Sequence, residues 1–233
     1  MTFITEVLQA VGAFLGGLVG RAALFFAVLA VFAVPALLLA LAARAYQARR
    51  RRALGLRSVA GVQFRPDVRY APRHTWLAER RGGALTVGLD DLGQRLLTSV
   101  TAVELPRPGT AVLAGEPMAT LSGGGRAVRI PAPISGTVVG VNAAVVRDPA
   151  VVQRDGYGHG WLVAIAPANR EWEGLPHGDA AEKWMSTESS RLSRFLEQKL
   201  GFAGADGGEL VVPAPWLLGE ASHQALLAAF LGA

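Results

Sequence analysis

Reactive side chains are sparse in this sequence, and their placement excludes more chemistry than it admits. There is no cysteine, which removes disulfides, thiolate zinc sites, iron–sulfur clusters and cysteine nucleophiles together. The four histidines stand at 74, 159, 177 and 223, and no pair has the helical spacing of metal ligands. Lysine occurs only as Lys183 and Lys199, so no lysine chemistry is available earlier in the chain. Asp90 and Asp91 head a short helical pattern, the usual place of a cap rather than of an acid–base pair. His74 lies two residues before Trp76, where packing or a hydrogen bond is expected, and His159 lies in a glycine-rich turn. Neither a Gly-x-Ser-x-Gly elbow nor a phosphate-binding G-x-x-x-x-G-K-[ST] loop is present. The expectation is a protein that is not an enzyme and holds no cofactor or metal.

The elements that would position these residues separate into two regions. The 233 residues are 51% hydrophobic and only 18% charged, against about 25% charged in ordinary soluble domains, and mean hydropathy is +0.32. Much of the excess lies in Ala22 to Ala43, AALFFAVLAVFAVPALLLALAA. At ~1.5 Å per residue this stretch matches a ~30 Å hydrocarbon core, which predicts a transmembrane helix over 22–43. Pro35 lies inside it and predicts a kink. Residues 1–21 are mostly apolar, with Glu6, Gln9 and Arg21 as polar exceptions; they extend the helix outward or lie along the interface. Gly16, Gly17 and Gly20 would allow close helix contact.

Charge is concentrated beside this run. Seven arginines precede residue 61 against the single acid Glu6, while the whole chain carries +5, so the remainder is nearly neutral. Arg44, Arg49, Arg50, Arg51 and Arg52 follow the apolar run. Positive residues stay on the cytoplasmic side, which places the N-terminus outside and the larger C-terminal part in the cytoplasm, at an inner membrane. A basic collar of this kind contacts anionic headgroups, or a partner, at about 1 kcal/mol per residue near the surface. Nucleic-acid binding would need basic residues spread over a folded face and is not expected. Residues 44–58 read as a basic juxtamembrane linker.

From Val59 the pattern changes to short β-type stretches between Gly and Pro signals. Strands are expected at Ala84–Gly88, Ala111–Ala114, Pro117–Leu121, Ala127–Ile130, Gly136–Val141 and Trp161–Ile165, with one short helix over Asp90–Ser99. The order of motifs carries a resemblance. Tyr70-Ala-Pro-Arg-His74-Thr-Trp76 precedes Thr86-Val-Gly-Leu-Asp-Asp-Leu-Gly-Gln94. Then come Val103-Glu-Leu-Pro-Arg-Pro-Gly109, Gly115-Glu-Pro117, Ala132-Pro-Ile-Ser-Gly-Thr-Val-Val-Gly-Val-Asn142, Asp148-Pro149, Tyr157-Gly-His-Gly-Trp161 and Trp184-Met-Ser-Thr-Glu188. In this order they resemble the H protein of the glycine cleavage system, a relative of the lipoyl domains, over roughly Pro66 to Glu197. The resemblance implies a mainly β fold, a barrel-sandwich hybrid with a C-terminal helix, over residues 59–200.

The resemblance also implies a lipoyl group on a lysine in a β-hairpin turn, within Glu-Ser-Val-Lys-Ala. Counting back from Pro133-Ile-Ser-Gly136 without gaps places Gly125 at the lysine position, and a one-residue slip places Arg126 there. The segment reads Leu121-Ser-Gly-Gly-Gly-Arg126. Lipoylation needs a nucleophilic amine; glycine has no side chain and arginine stays protonated. The lipoyl position is therefore expected to be vacant. The three glycines are expected simply to close a tight hairpin.

After this region, Leu192, Phe195, Leu196 and Leu200 fall at helical spacing, with Ser186 or Thr187 as the expected N-cap. Residues 201–233 form an extension: a Gly/Ala/Asp linker, Pro213-Ala-Pro215-Trp216, and an amphipathic helix over Glu220–Leu231. Trp216, Leu226, Leu227, Phe230 and Leu231 are candidates for docking a partner, although such a stripe ordinarily docks on its own core. The expected function is a non-catalytic, single-pass membrane subunit that scaffolds a larger complex, respiratory or photosynthetic, among other subunits. In layout alone it resembles the H subunit of bacterial photosynthetic reaction centres. The alternative is a membrane-tethered docking module for a lipoate-handling or glycine-cleavage enzyme.

Overall fold

The apolar N-terminal run and the glycine-punctuated remainder fold separately in the computed structural model, which describes residues 2–201, 205–206, 209–210, 212–213 and 217–232. The chain divides into two units, Met1–Ala53 and Leu54–Ala233. The first is the single helix α1, Thr2–Ala53. The helix continues across Gly12, Gly16, Gly17, Gly20 and Pro35. Its apolar stretch buries nothing within the chain. By length and composition it is the one helix among the described residues able to cross a membrane.

The second unit is a mainly β sandwich with helices. It opens with the hairpin β1 (Arg57–Val59) and β2 (Val62–Phe64), closed by Ala60 and Gly61, both at positive φ, as two-residue hairpin loops require. The larger sheet contains β3 (Arg69–Ala71), β4 (Thr75–Glu79), β5 (Leu85–Leu89), β7 (Ala111–Val112), β10 (Gly136–Val141) and β11 (Val163–Pro167). Its order is β3-β4-β5-β11-β10-β7, antiparallel at every pairing. A three-stranded sheet orders β6 (Ala102–Glu104), β8 (Pro117–Gly123) and β9 (Arg126–Pro131) as β6-β8-β9. Each of the six strands expected from the sequence coincides with, or overlaps, one of these.

One core fills the unit, with Trp76, Tyr70, Phe64 and Phe230 among its largest buried side chains. Gly88 faces Trp76 across the β4–β5 pair. A Cβ there would lie 2.6 Å from the indole, so this glycine admits the ring. The indole N–H donates to the carbonyls of Leu89 (3.0 Å) and Gly156 (3.2 Å), which satisfies the buried donor. Tyr70 and Tyr157 share a hydrogen bond at 3.3 Å. Burial pushes both phenols well above their ordinary range, and each also borders the other.

The helices account for the remaining differences. α2 (Asp91–Leu96) is the expected short helix, capped by Asp90, whose side chain accepts from the Gly93 N–H. α3 (Ala143–Arg147) and α4 (Val151–Arg154) are too short to leave a periodic signal. α5 spans Asp179–Leu200 and so begins before the expected caps. Gly178, at φ 58°, precedes it, and Asp179 and Glu182 supply negative charge to its first turn. Ser186 and Thr187 are interior; the Thr187 hydroxyl donates back to the Lys183 carbonyl. Leu192 and Leu196 are buried and Phe195 is half-buried, as the spacing predicts; the Leu200 side chain is outside the described ones. The remaining strands, β12 (Ala205–Asp206) and β13 (Glu209–Leu210), pair with each other.

α6 (Glu220–Phe230) corrects one expectation. Leu226, Leu227, Phe230 and Leu231 are buried in the unit's own core, so this stripe is not presented to a partner. A terminal helix with a free apolar seat beside it gains more by covering that seat than by exposing its stripe. Trp216 lies outside the described residues.

Candidate functional site

The β8–β9 hairpin is the place where family chemistry would sit, and its turn is built from glycine for identifiable reasons. Gly123 pairs with Arg126, leaving Gly124 and Gly125 as the two-residue loop. Both have positive φ, 58° and 78°, the pattern of a type I′ turn. Gly123 serves close approach instead. A Cβ there would come within 1.9 Å of the Ser99 carbonyl oxygen, and the neighbouring Thr98 hydroxyl donates to the Gly123 carbonyl at 2.9 Å. At Gly125 a Cβ would meet nothing within 4 Å, so that position faces open space and offers no side chain.

Arg126 is turned back onto α6. Its guanidinium donates to His223 Nδ1 at 2.8 Å and lies 3.7 Å from Glu220. His223 is buried, and its Nε2 reaches the Leu96 carbonyl of α2 at 2.8 Å. Thus α6 is tied by one side chain to both the hairpin and α2. Arg191 of α5 holds the far end of α6, donating to the Ala229 carbonyl and lying 4.3 Å over the Phe230 ring.

A second cluster, built on the buried His74 and Asp90, also borders Phe230. His74 Nδ1 stands 3.0 Å from Asp90 and its Nε2 stands 3.6 Å from Glu188. Glu188 in turn accepts from Arg191 at 2.6 Å. The His74 ring lies near Phe230 and Trp184, with centroids 5.9 and 5.7 Å away. No nucleophile belongs to this set, and its role is to join the β3–β4 turn, the α2 cap, α5 and α6. Asp91 is committed elsewhere: it pairs with Arg95 at 2.7 Å and accepts from the Gln63 N–H. Burial raises its pKa even so, against the pull of Arg95.

The other sequence candidates are dispersed. Arg44, Arg49, Arg50, Arg51 and Arg52 all lie on α1, with Arg44, Arg49 and Arg52 exposed, Arg50 half-buried and the Arg51 side chain outside the described ones. His159 meets Asp155 at 3.0 Å, and His177 is exposed. Among the described residues no group of three or more acids and histidines is arranged to hold a metal ion. Sequence reasoning missed the Arg126–His223–Glu220 contact. Glu220 and His223 share one turn of α6, but Arg126 is 97 positions from His223, and no local spacing links it to them.

Comparison with known proteins identifies the fold. The pattern of the glycine cleavage H-protein family matches residues 68–188, more than half of the chain. This chain belongs to the glycine cleavage H-protein family. The H protein of Shewanella sp. (strain ANA-3) is 38% identical over 103 residues, covering 44% of this chain and 80% of that protein. The H protein of Shewanella loihica is 39% identical over the same length and coverage. That of Shewanella frigidimarina is 35% identical over 123 residues, covering 52% of this chain and 95% of its own. A crystal structure of the H protein from Mycobacterium marinum is 31% identical, with a TM-score of 0.43, covering 48% of this chain and 97% of that one. The H-protein match leaves α1, the end of α5 and all of α6 outside it. The basic collar on α1 therefore lies outside the matched region, as does α6, which holds Arg126. The hairpin turn lies inside the match.

Proposed function

We propose that this chain is a non-catalytic, membrane-tethered member of the H-protein family that carries no lipoyl arm and serves as a structural subunit of a larger membrane complex. The observation that carries this reading is the β8–β9 turn. The family resemblance implies a lipoyl arm attached through a lysine amine in this turn; here Gly124 and Gly125 close the turn and Arg126 is engaged with α6. Neither position supplies the amine, and Lys183 and Lys199 both lie on α5. α1 supports the anchoring half of the reading. Its apolar run is long enough for a bilayer, and Arg44 and Arg49 to Arg52 follow it, which favours an outside N-terminus and a cytoplasmic sandwich against anionic headgroups.

The test is gentle solubilisation of native membranes followed by native separation. The expected result is comigration with a complex several times the mass of the 24.4 kDa chain; migration only as a free monomer contradicts it. Retention of the family fold over 68–188 favours a second reading, a tethered docking module for a lipoate-handling or glycine-cleavage enzyme. Under that reading the comigrating protein is such an enzyme.

A further inference from the structure

We propose that the groove between α5 and α6 binds the headgroup of an anionic phospholipid. The groove has a volume of about 280 Å³. Arg191, Arg194 and Lys199 border it, Phe195 and Phe230 give it an apolar wall, and no acid is among its described lining residues. That departs from the balance of the unit, since beyond Ala53 the sequence has seventeen basic and seventeen acidic residues. All five of these lining residues lie beyond the family match over 68–188, so the groove is built from elements that the match does not include.

The three cations are held differently. Arg191 is committed to the protein: its guanidinium donates to Glu188 and to the Ala229 carbonyl and lies over the Phe230 ring. Arg194 is exposed, and its hydrogen bond to the described residues runs from Nε to the Ser190 carbonyl at 3.3 Å. Its terminal nitrogens keep the fork that grips a phosphate. Lys199 is exposed and stands in the last turn of α5, where a cation also answers the helix dipole; that role needs neither Arg194 nor an aromatic wall. Of the acids on this half of α5, Glu188 is paired with Arg191, and Glu197 accepts from the Ser193 hydroxyl at 3.2 Å. Phe195 meets Phe230 edge to face, with centroids 5.6 Å apart. A negative group carried on an apolar stem satisfies both the cations and the rings, whereas a free anion leaves the rings unused. The groove is smaller than the ~300–1,000 Å³ of pockets that enclose a drug-sized molecule, which suits a headgroup whose chains remain outside. The choice of a lipid among such anions rests on the tether proposed for α1, which keeps the unit beside a bilayer.

The test gives the full-length protein, in uncharged detergent, one of four probes: short-chain phosphatidylglycerol, short-chain phosphatidylcholine, inorganic phosphate or a glutamate-rich peptide. Hydrogen exchange is read in peptides covering 188–200 and 220–231. Phosphatidylglycerol is expected to protect both, and the other probes neither at the same concentration. Arg194→Gln combined with Lys199→Gln alters two exposed positions and is expected to exchange like the unaltered protein without lipid. With lipid, it is expected to raise the concentration for half-protection about thirtyfold. Glutamine in place of Arg49 to Arg52 removes the collar's own attraction for lipid and is expected to leave that concentration unchanged. Equal protection by phosphatidylcholine means adsorption on the rings alone, equal protection by phosphate means a small-anion site, and protection by the peptide without the lipid means a protein interface. Each of these overturns the proposal, as do an absence of protection and an undiminished response in the double variant. Alkaline extraction of native membranes separates this result from the tether. A protein that stays in the membrane and shows no lipid-dependent protection keeps the anchor and loses the groove; an extracted protein that still shows it keeps the groove and loses the anchor.

Discussion

Replacing Asp90 by alanine is expected to cost the Leu54–Ala233 unit about 3 kcal/mol of stability. Asp90 is fully buried and serves two elements at once. Its Oδ1 accepts from the Gly93 N–H at 2.8 Å, capping α2, and its Oδ2 meets His74 Nδ1 at 3.0 Å. Loss of the cap accounts for about 1 kcal/mol. Leaving His74 buried without that partner accounts for a further 1–3 kcal/mol, roughly. His74 itself sits at φ 62°, a backbone state that costs a non-glycine residue energy and persists only when its surroundings hold it. Asp90→Asn preserves an acceptor for Gly93 and is expected to lose less than half as much. Urea unfolding in detergent, followed by tryptophan fluorescence, measures both variants. All five tryptophans lie beyond residue 54, so the signal reports this unit and not α1. Equal stability of Asp90→Ala and the unaltered protein would remove Asp90 from its assigned role.

The second large effect is expected at the hairpin turn. Gly123→Ala should destabilise the unit by roughly 3 kcal/mol, the upper part of the range for overpacking, because the new methyl carbon would lie 1.9 Å from the Ser99 oxygen. Relief requires the β8–β9 hairpin and the segment before β6 to separate, at the expense of the Thr98–Gly123 and Thr101–Ser122 hydrogen bonds. Gly125→Ala makes the contrast. That position has open space and bears only the positive φ of 78°, for which about 1–2 kcal/mol is the ordinary penalty. The same unfolding experiment ranks the two. A larger loss at Gly125 than at Gly123 would mean that backbone conformation, and not close approach, selects glycine along this turn.

The strands were legible because glycine and proline mark their ends and apolar residues alternate within them; Gly136–Val141 coincides residue for residue with β10. The cap at Asp90 was legible for the same local reason. β3 and β4 were visible only through the motif around His74 and Trp76, since three to five residues carry too little periodicity by themselves. Ser186 and Thr187 look like caps in one dimension, whereas α5 starts at Asp179, after Gly178 ends the preceding loop by its backbone conformation. The stripe on α6 could be read, but its direction could not: an apolar face has the same sequence whether it meets its own core or another chain. The candidate site divides in the same way. The glycine turn is a property of adjacent residues. The Arg126–His223 contact depends on the fold bringing β9 and α6 together, and so does the His74–Glu188 approach.

We propose that the turn of this H-protein-family domain has lost its attachment point and that the domain is retained for its shape. Its most direct test is the intact mass of the protein purified from native membranes of cells that lipoylate their other carriers. The expected result is the mass of the bare polypeptide, with no lipoyl increment on any fraction. A covalent lipoyl adduct, on Lys183, Lys199 or elsewhere, would contradict it and return the protein to the carriers.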